Sequence, residues 1–311
     1  MNVNDKTELK KYEITVFTPA YNRGYIIEKL YRSLQRQTYK DFEWVVVDDG
    51  SVDDTQKRID DFIKEENAFP IRYIKTENGG KHRAINKGLE MSCGKLFFIV
   101  DSDDYLTDDA LECIAAVEQS IPENKKKNFA GVCGLKAYSL EKPIGTSFPG
   151  EYLDITSLDR LKHNITGDKA EAFYTDILRK YPFPTFEGEK FVTECVVWDR
   201  MASDGYKLRF YNRISIICNY LDDGLSARGY DLYFRNPRGY ALYLQQSSRL
   251  KRINGVEKCN SYVGFYEELC KSNTFYEISN IFQMNPVHLW IKLFAMRVYR
   301  RLFEGRDKND S

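Results

Sequence analysis

Short apolar runs alternate with amphipathic segments through the first 120 residues of the chain. The apolar runs predict strands, and the segments between them predict helices. The predicted strands are 14–17, 43–47, 71–75 and 95–100, and the predicted helices are 25–37, 54–66, 81–91 and one that begins near Thr107. Strands and helices that alternate at this spacing form right-handed βαβ units. We therefore predict an α/β fold with a mostly parallel mixed sheet and helices on both faces.

Polar or turn-forming residues follow each predicted strand, at 18–22, 48–51, 77–80 and 101–104. Ligands of such sheets bind beyond the carboxyl ends of the strands. We therefore expect these four segments to lie together at one edge. The remaining chain is irregular to about residue 230 and then helical to its end.

The composition excludes some classes of function. The 46 basic and 46 acidic residues cancel, which does not favour nucleic acid as a partner. The seven cysteines form no CxxC pair, so we expect reduced thiols and neither disulfides nor a zinc site. Residues 1–10 are polar, with no apolar stretch of a signal peptide, and no run approaches the about 20 apolar residues of a membrane span. A cytoplasmic location is predicted.

The acidic segment after the fourth predicted strand contains Asp101, Asp103 and Asp104. Crowded carboxylates repel each other unless a cation neutralises them, and oxygen ligands of this kind select Mg²⁺ or Mn²⁺. The alternative is an acidic loop that caps the following helix. Taken alone, the short motif does not decide between these interpretations.

The segments after the second and third strands add to the acidic one. Asp49 can accept a hydrogen bond from a base or a ribose, and Gly50 allows the backbone to turn closely beside a ligand. Two glycines lie directly before a predicted helix that begins with Lys81, a place where phosphate often binds. The spacing matches neither a Walker A loop nor a GxGxxG motif, which disfavours a kinase or a dehydrogenase.

Together these motifs resemble those of family 2 glycosyltransferases with the GT-A fold, a Rossmann-like α/β fold. The similarity covers about residues 12–230 and rests on four motifs in order: Thr18-Pro19-Ala20-Tyr21-Asn22-Arg23, Asp48-Asp49-Gly50-Ser51, Gly80-Lys81-x-x-Ala84-x-Asn86-x-Gly88 and Asp101-Ser102-Asp103-Asp104. The resemblance implies a nucleoside-diphosphate sugar donor, UDP by the same analogy, a divalent metal (Mn²⁺ or Mg²⁺) and inversion at the anomeric carbon. It implies transfer to a saccharide or lipid-linked saccharide in surface polysaccharide assembly.

The same matching implies roles for particular residues. Pro19 and Tyr21 would flank the base, Asp49 would bind the uracil edge, Asp101 or Asp103 the ribose and sugar, and Asp103 or Asp104 the metal. Arg23, Lys81 and Ser102 complete the nucleotide and sugar site. Residues 1–135 would form the nucleotide-sugar-binding half, residues 136–230 the acceptor-binding and catalytic-base half, and residues 231–311 a helical C-terminal extension.

The family's general base lies in a motif similar to Glu-Asp-x-x-x-Trp-x-Arg. Here Glu194 occupies the aspartate position and Thr193 replaces the acid before it, with Trp198 and Arg200 retained. The resemblance therefore assigns the base to Glu194, with Asp199 as the alternative. The departure at Thr193 keeps a second hypothesis open, a nucleotide-sugar-binding protein without activity. A nucleotidyltransferase is a third.

The C-terminal segment 287–303 has an apolar helical stripe, formed by Val287, Ile291, Phe294, Val298 and Leu302. Arg297, Arg300 and Arg301 lie on another face. Such a helix can lie on an anionic membrane surface, as a peripheral contact on the cytoplasmic face. The alternative is a helix that packs on the domain with solvated arginines.

Overall fold

The computed structural model describes residues 11–219, 221, 223–225, 229–250 and 255–303. Within these ranges ten strands form one sheet. The strands are β1 Tyr12–Ala20, β2 Phe42–Asp48, β3 Ile71–Lys75, β4 Gly94–Ile99, β5 Tyr105–Leu106, β6 Phe129–Ser139, β7 Lys142–Pro143, β8 Tyr152–Ile155, β9 Lys169–Tyr174 and β10 Lys207–Ile217. The polar segment 1–10 lies outside the described residues.

The sheet order is β3-β2-β1-β4-β9-β6-β10-β5, with β7 beside β6 and β8 beside β10. The first four strands pair in parallel, and antiparallel pairs join β9 to both β4 and β6. Register places Ala20 beside Asp48 and Phe17 beside Ile99, so β1, β2 and β4 end at one edge. The segments that follow these strands therefore begin side by side.

The helices of the described residues are α1 Ile27–Gln35, α2 Thr55–Lys64, α3 Lys81–Met91, α4 Ala110–Gln119, α5 Glu123–Lys126, α6 Thr175–Leu178, α7 Cys195–Ser203, α8 Asp231–Phe234, α9 Pro237–Leu250, α10 Gly255–Leu269, α11 Phe275–Ile281 and α12 Pro286–Phe303. Continuously apolar strands bury both faces of the sheet. Trp44 packs with α1 and α2 on one face, and Phe17 packs with α3 on the other. The predicted α/β fold with helices on both faces is confirmed.

The helices α8 to α12 form a third core of their own, centred on Tyr262, Phe265 and Phe282. This arrangement confirms the predicted helical C-terminal region. The predicted division between residues 135 and 136 falls inside β6, so one sheet runs across it. The three-part division of the chain stays a prediction.

The helix predicted to begin near Thr107 begins later, at Ala110. Thr107 instead bonds to β10, because its N–H donates to the carbonyl of Ser215 at 3.2 Å and its hydroxyl to that of Ile214 at 3.1 Å. These long-range bonds hold Thr107 against β10 just beyond the end of β5, and α4 begins after them. The sequence around Thr107 contains no local sign of these bonds.

Candidate active site

Hydrogen bonds join the segment after β1 to the segment after β2. The N–H of Asn22 donates to Oγ of Ser51 at 2.8 Å, and the N–H of Val52 donates to Oδ1 of Asn22 at 2.8 Å. Asn22 has a φ of 53°, a left-handed conformation that asparagine adopts more readily than most residues. The N–H of Ser51 donates in turn to Asp48 at 2.7 Å. These bonds fix the wall of the site that carries Tyr21 and its neighbours.

The carboxylate of Asp49 holds the segment before α3. Its two oxygens accept the N–H groups of Gly79 and Gly80, each at 2.7 Å. Gly80 has a φ of 93°, and a Cβ there would overlap the carbonyl oxygen of Lys190, so only glycine fits. The amides that the sequence suggested for a phosphate therefore bind Asp49. Asp49 itself also lines a cavity at this edge of the sheet.

Two lysines neutralise part of the acidic segment. Nζ of Lys81 lies 2.6 Å from Asp101. Nζ of Lys136 lies 3.4 Å from Asp104 and 3.8 Å from Asp101. Asp104 also accepts the N–H of Asn219 at 3.2 Å. The carboxylate of Asp104 is therefore bound by groups of the protein, whereas the sequence assigned Asp104 to the metal.

Asp103 makes no ion pair with any residue that the structure describes. Burial, and then the negative charges of the neighbouring Asp101 and Asp104, raise the pKa of its carboxyl to about 6. Burial alone would also raise the pKa of Asp101, but Lys81 and Lys136 hold it below its usual value. Asp103 is thus a partly buried carboxyl that has no ion-pair partner among the described residues.

All nine residues that the sequence assigned to nucleotide, sugar and metal line one cavity of about 430 Å³, which we call the first cavity. They are Pro19, Tyr21, Arg23, Asp49, Lys81, Asp101, Ser102, Asp103 and Asp104. Tyr21 is 42% exposed at the cavity, while Ser102 is buried. Arg23 forms an ion pair with Asp223 at 3.0 Å on the opposite wall.

A second cavity, of about 650 Å³, adjoins the first and shares Lys81, Asp101 and Lys136 with it. Glu194 lines this second cavity directly before α7, and its carboxylate lies 2.9 Å from Nζ of Lys81. The same ammonium thus contacts Asp101 of the first cavity and Glu194 of the second. Asp199, the alternative base, is fully buried and lines neither cavity.

Residues 15–119 match the model of the family described as Glycosyl transferase family 2. The matched segment contains most of β1, all of β2 to β4, and every residue assigned to the nucleotide, sugar and metal. Residues 15–119 are therefore similar to glycosyl transferase family 2, and they contain the whole candidate donor site.

Two relatives show how far the similarity of this glycosyltransferase extends. The chain is 25% identical over 281 residues to GalNAc(5)-diNAcBac-PP-undecaprenol beta-1,3-glucosyltransferase of Campylobacter jejuni. This alignment covers 84% of each of the two chains. The chain is 31% identical over 157 residues to the putative teichuronic acid biosynthesis glycosyltransferase TuaG of Bacillus subtilis. That second match covers 50% of this chain and 59% of TuaG.

Solved structures of glycosyltransferases share the fold. Residues 1–349 of TarS from Staphylococcus aureus superpose with a TM-score of 0.55 at 20% identity, over 82% of this chain and 71% of that one. The mannosyltransferase PcManGT from Pyrobaculum calidifontis gives a TM-score of 0.52 at 16% identity, over 96% of this chain and 88% of that one. The predicted GT-A type of fold is confirmed.

Three polar residues that line the two cavities escaped the sequence-based assignment. Lys136 lies on β6. The only local sign of its role in the sequence was the presence of a cation inside an apolar run. Glu171 lies on β9 and lines the second cavity, where burial raises its pKa to about 7 although Arg160 lowers it. His82, next to Lys81, lines the same cavity and is 2% exposed.

The acidic segment fits a divalent metal only with help from a substrate. No three His, Cys, Asp or Glu side chains of the described residues are arranged to hold a metal ion. Asp103, however, is a partly buried carboxyl without an ion-pair partner in that same part of the chain, and two more carboxyls lie beside it. A cation held by Asp103 would relieve this repulsion, and magnesium-type sites commonly combine one or two carboxylates with substrate phosphates.

Proposed function

We propose that this glycosyltransferase binds a UDP-sugar in the first cavity and transfers the sugar, with inversion, to a saccharide hydroxyl in the second. The observation that carries the proposal is the contact of Lys81 with both Asp101 and Glu194, at 2.6 and 2.9 Å. It brings the candidate base to the junction of the two cavities. A donor and an acceptor must meet at such a junction.

Glu194 would act as the general base. A hydroxyl is a poor nucleophile near neutral pH, so a positioned carboxylate must take its proton as the new bond forms. The acceptor hydroxyl would attack the anomeric carbon from the second cavity. The nucleoside diphosphate would leave on the opposite side, into the first cavity. The configuration at that carbon is therefore inverted in one displacement, without an enzyme nucleophile. The ion pair with Lys81 orients the carboxylate.

Asp103 would hold a divalent metal together with the donor diphosphate, with Asp101 beside it for the ribose or sugar. Bound Mn²⁺ or Mg²⁺ supplies Lewis-acid stabilisation of the negative charge on the leaving group. Asp104 forms an ion pair with Lys136 and accepts the N–H of Asn219. We therefore propose that it stabilises the conformation of the acidic segment and does not bind the metal. We propose that Pro19, Tyr21 and Asp49 bind the nucleobase of the donor.

Donor and acceptor classes are inferred from related proteins. A TarS structure contains UDP-GlcNAc, and the PcManGT structure contains GDP-Man and Mn²⁺. The name of the Campylobacter jejuni relative describes transfer to an undecaprenol-linked saccharide. We infer that this chain acts in the assembly of a surface polysaccharide or a lipid-linked saccharide.

The helix α12 supports a contact with a membrane surface. Its apolar stripe faces outward, with Ile291 51% exposed and Phe294 58% exposed, while Leu289 and Leu293 bury the opposite stripe. No helix in the described ranges is both long and apolar enough to cross a bilayer. We propose that the stripe lies on an anionic lipid surface, which the nearby arginines favour.

Calorimetry with a panel of UDP-, GDP- and dTDP-sugars, in Mn²⁺ and in EDTA, tests the donor and the metal. We expect a UDP-sugar to bind most tightly and to bind more tightly in Mn²⁺. Asp103→Asn should remove the effect of Mn²⁺, whereas the exposed control Glu123→Gln should retain it. A preference for another nucleotide, or equal binding in EDTA, would contradict the proposal.

A further inference from the structure

The second cavity is lined by a buried histidine that finds no hydrogen-bond partner in the part of the chain that the structure describes. His82 is 2% exposed, and neither ring nitrogen has a hydrogen-bond partner among the described residues. Burial lowers the pKa of His82 to about 4, with Arg83 adding to the effect, so the ring is neutral near pH 7. A neutral imidazole offers one donor and one acceptor. Buried polar groups left without partners are rare, and a ligand that supplies them is one explanation.

The helical C-terminal region contributes aromatic rings to the same cavity. Tyr233 of α8 stacks on Tyr240 of α9, with ring centroids 4.2 Å apart, and Phe191 meets Tyr233 at 5.9 Å. Tyr243 and Trp198 line the cavity as well. Aromatic faces bind the apolar C–H faces of sugar rings, whose hydroxyls then need polar partners. The cavity provides both kinds of surface.

The charges around the second cavity do not favour an anionic ligand. Its lining contains four cationic side chains and five carboxyls, namely Lys81, Lys136, Arg160 and Lys169, and Asp101, Asp168, Glu171, Glu194 and Glu257. Lys81 and Lys136 are already paired with Asp101. No cationic excess is left for a phosphate or a uronic acid. The volume of about 650 Å³ falls in the range of small-molecule sites, roughly 300–1,000 Å³.

We propose that the second cavity binds a neutral saccharide unit of the acceptor, with His82 bonding one of its hydroxyls and the tyrosines of α8 and α9 packing on its ring. This inference rests on the proposed function for the identity of the ligand as acceptor. It makes His82 a residue that determines acceptor specificity. It also makes the helical C-terminal region a part of the acceptor site.

The three tryptophans of the chain allow a direct test by ¹⁹F NMR after labelling with 5-fluorotryptophan. Trp198 lines the cavity, Trp44 is fully buried in the core and Trp290 is 59% exposed on α12. The probes are methyl glycosides of glucose, galactose, N-acetylglucosamine and N-acetylgalactosamine, with methyl glucuronide and glucose 1-phosphate as charged probes. We expect a neutral glycoside to shift the resonance of Trp198 and leave the other two unchanged.

Variants of His82 test its hydrogen bonds. His82→Phe keeps a ring but removes both nitrogens, and should raise the Kd of the bound glycoside at least about fivefold, the effect of one lost hydrogen bond. His82→Gln keeps a donor and an acceptor, and should recover most of the affinity. The control variant His163→Phe changes an exposed residue of a short 3₁₀ helix and should bind as the wild type does. Three resolved ¹⁹F resonances check that each variant is folded.

Three results would overturn the inference: no glycoside shifts Trp198 although a UDP-sugar binds, only the charged probes shift it, or His82→Phe binds with wild-type affinity. Titration of UDP and Mn²⁺ into the same sample separates this inference from the proposed function. If glycosides shift Trp198 but the nucleotide does not bind, the saccharide cavity stands and the proposed donor fails.

Discussion

Replacement of Lys136 by methionine tests how the acidic segment is stabilised. Lys136 is the cation that contacts Asp104 at 3.4 Å and Asp101 at 3.8 Å. The side chains of Lys136 and Asp104 are only 14% and 7% exposed. Methionine has a similar length and no charge, so the substitution leaves a buried carboxylate without its partner. It makes little change in packing volume.

Removing one partner of a buried ion pair typically costs about 3–5 kcal/mol. The two distances are longer than an ideal charged hydrogen bond, and Asp101 keeps Lys81 as a partner. We therefore expect the lower end, about 3 kcal/mol, for Lys136→Met. Against a typical total stability of about 5–15 kcal/mol, this loss is large.

Urea unfolding, followed by circular dichroism without added metal, measures the loss. The exposed control Lys125→Met should change the free energy of unfolding by less than about 0.5 kcal/mol. If Lys136→Met were no less stable than Lys125→Met, the ion pairs would contribute nothing to the folded state. The proposed role of Asp104, to stabilise the conformation of the acidic segment, would then be wrong.

Three further predictions concern other parts of the chain. Gly80→Ala should lose about 3 kcal/mol in urea unfolding, because its φ of 93° disfavours a side chain and a Cβ would overlap the carbonyl of Lys190. The folded-state pKa of His82, about 4, lies below the ordinary value of about 6.5, so stability should fall by roughly 3 kcal/mol as pH drops from 6.5 to 4, and His82→Gln should reduce that fall. Phe294→Ser should weaken co-sedimentation with anionic phosphatidylglycerol vesicles, because its exposed ring lies on the apolar stripe of α12.

Matched controls separate these effects from general damage. Gly188→Ala also has a positive φ, 76°, but open space around the Cβ, and should lose only about 1 kcal/mol. Tyr276→Ser removes a ring that is 68% exposed on α11 and should leave vesicle binding unchanged. Equal losses for both glycine variants, an unaltered acid profile for His82→Gln, or equal vesicle binding by both serine variants would refute the corresponding argument.

The first half of the fold follows from local patterns in the sequence. The third predicted strand and the helix 81–91 coincide with β3 and α3 residue for residue. Continuous apolar runs define buried parallel strands, and short polar segments at their ends define the site. Hence the residues of the first cavity were accessible to sequence reasoning.

The second cavity was much less accessible, because strands and helices far apart in the chain build it. Lys136 and Glu171 lie on β6 and β9, and Tyr233 on α8, so no local spacing relates them. The C-terminal helix shows another limit. Its sequence contains two apolar stripes, and only packing against α10 and α11 decides that Leu293 is buried and Phe294 exposed.

Release of UDP tests the central claim most directly. The protein is incubated with a panel of UDP-sugars and Mn²⁺, with water or a saccharide as acceptor, and free UDP is measured. We predict slow release of UDP by the wild type, and release reduced by roughly 10²- to 10⁴-fold in Glu194→Gln, which should bind UDP as tightly as before. Undiminished turnover by Glu194→Gln, no UDP from any donor, or pyrophosphate from UTP and a sugar phosphate would contradict the account.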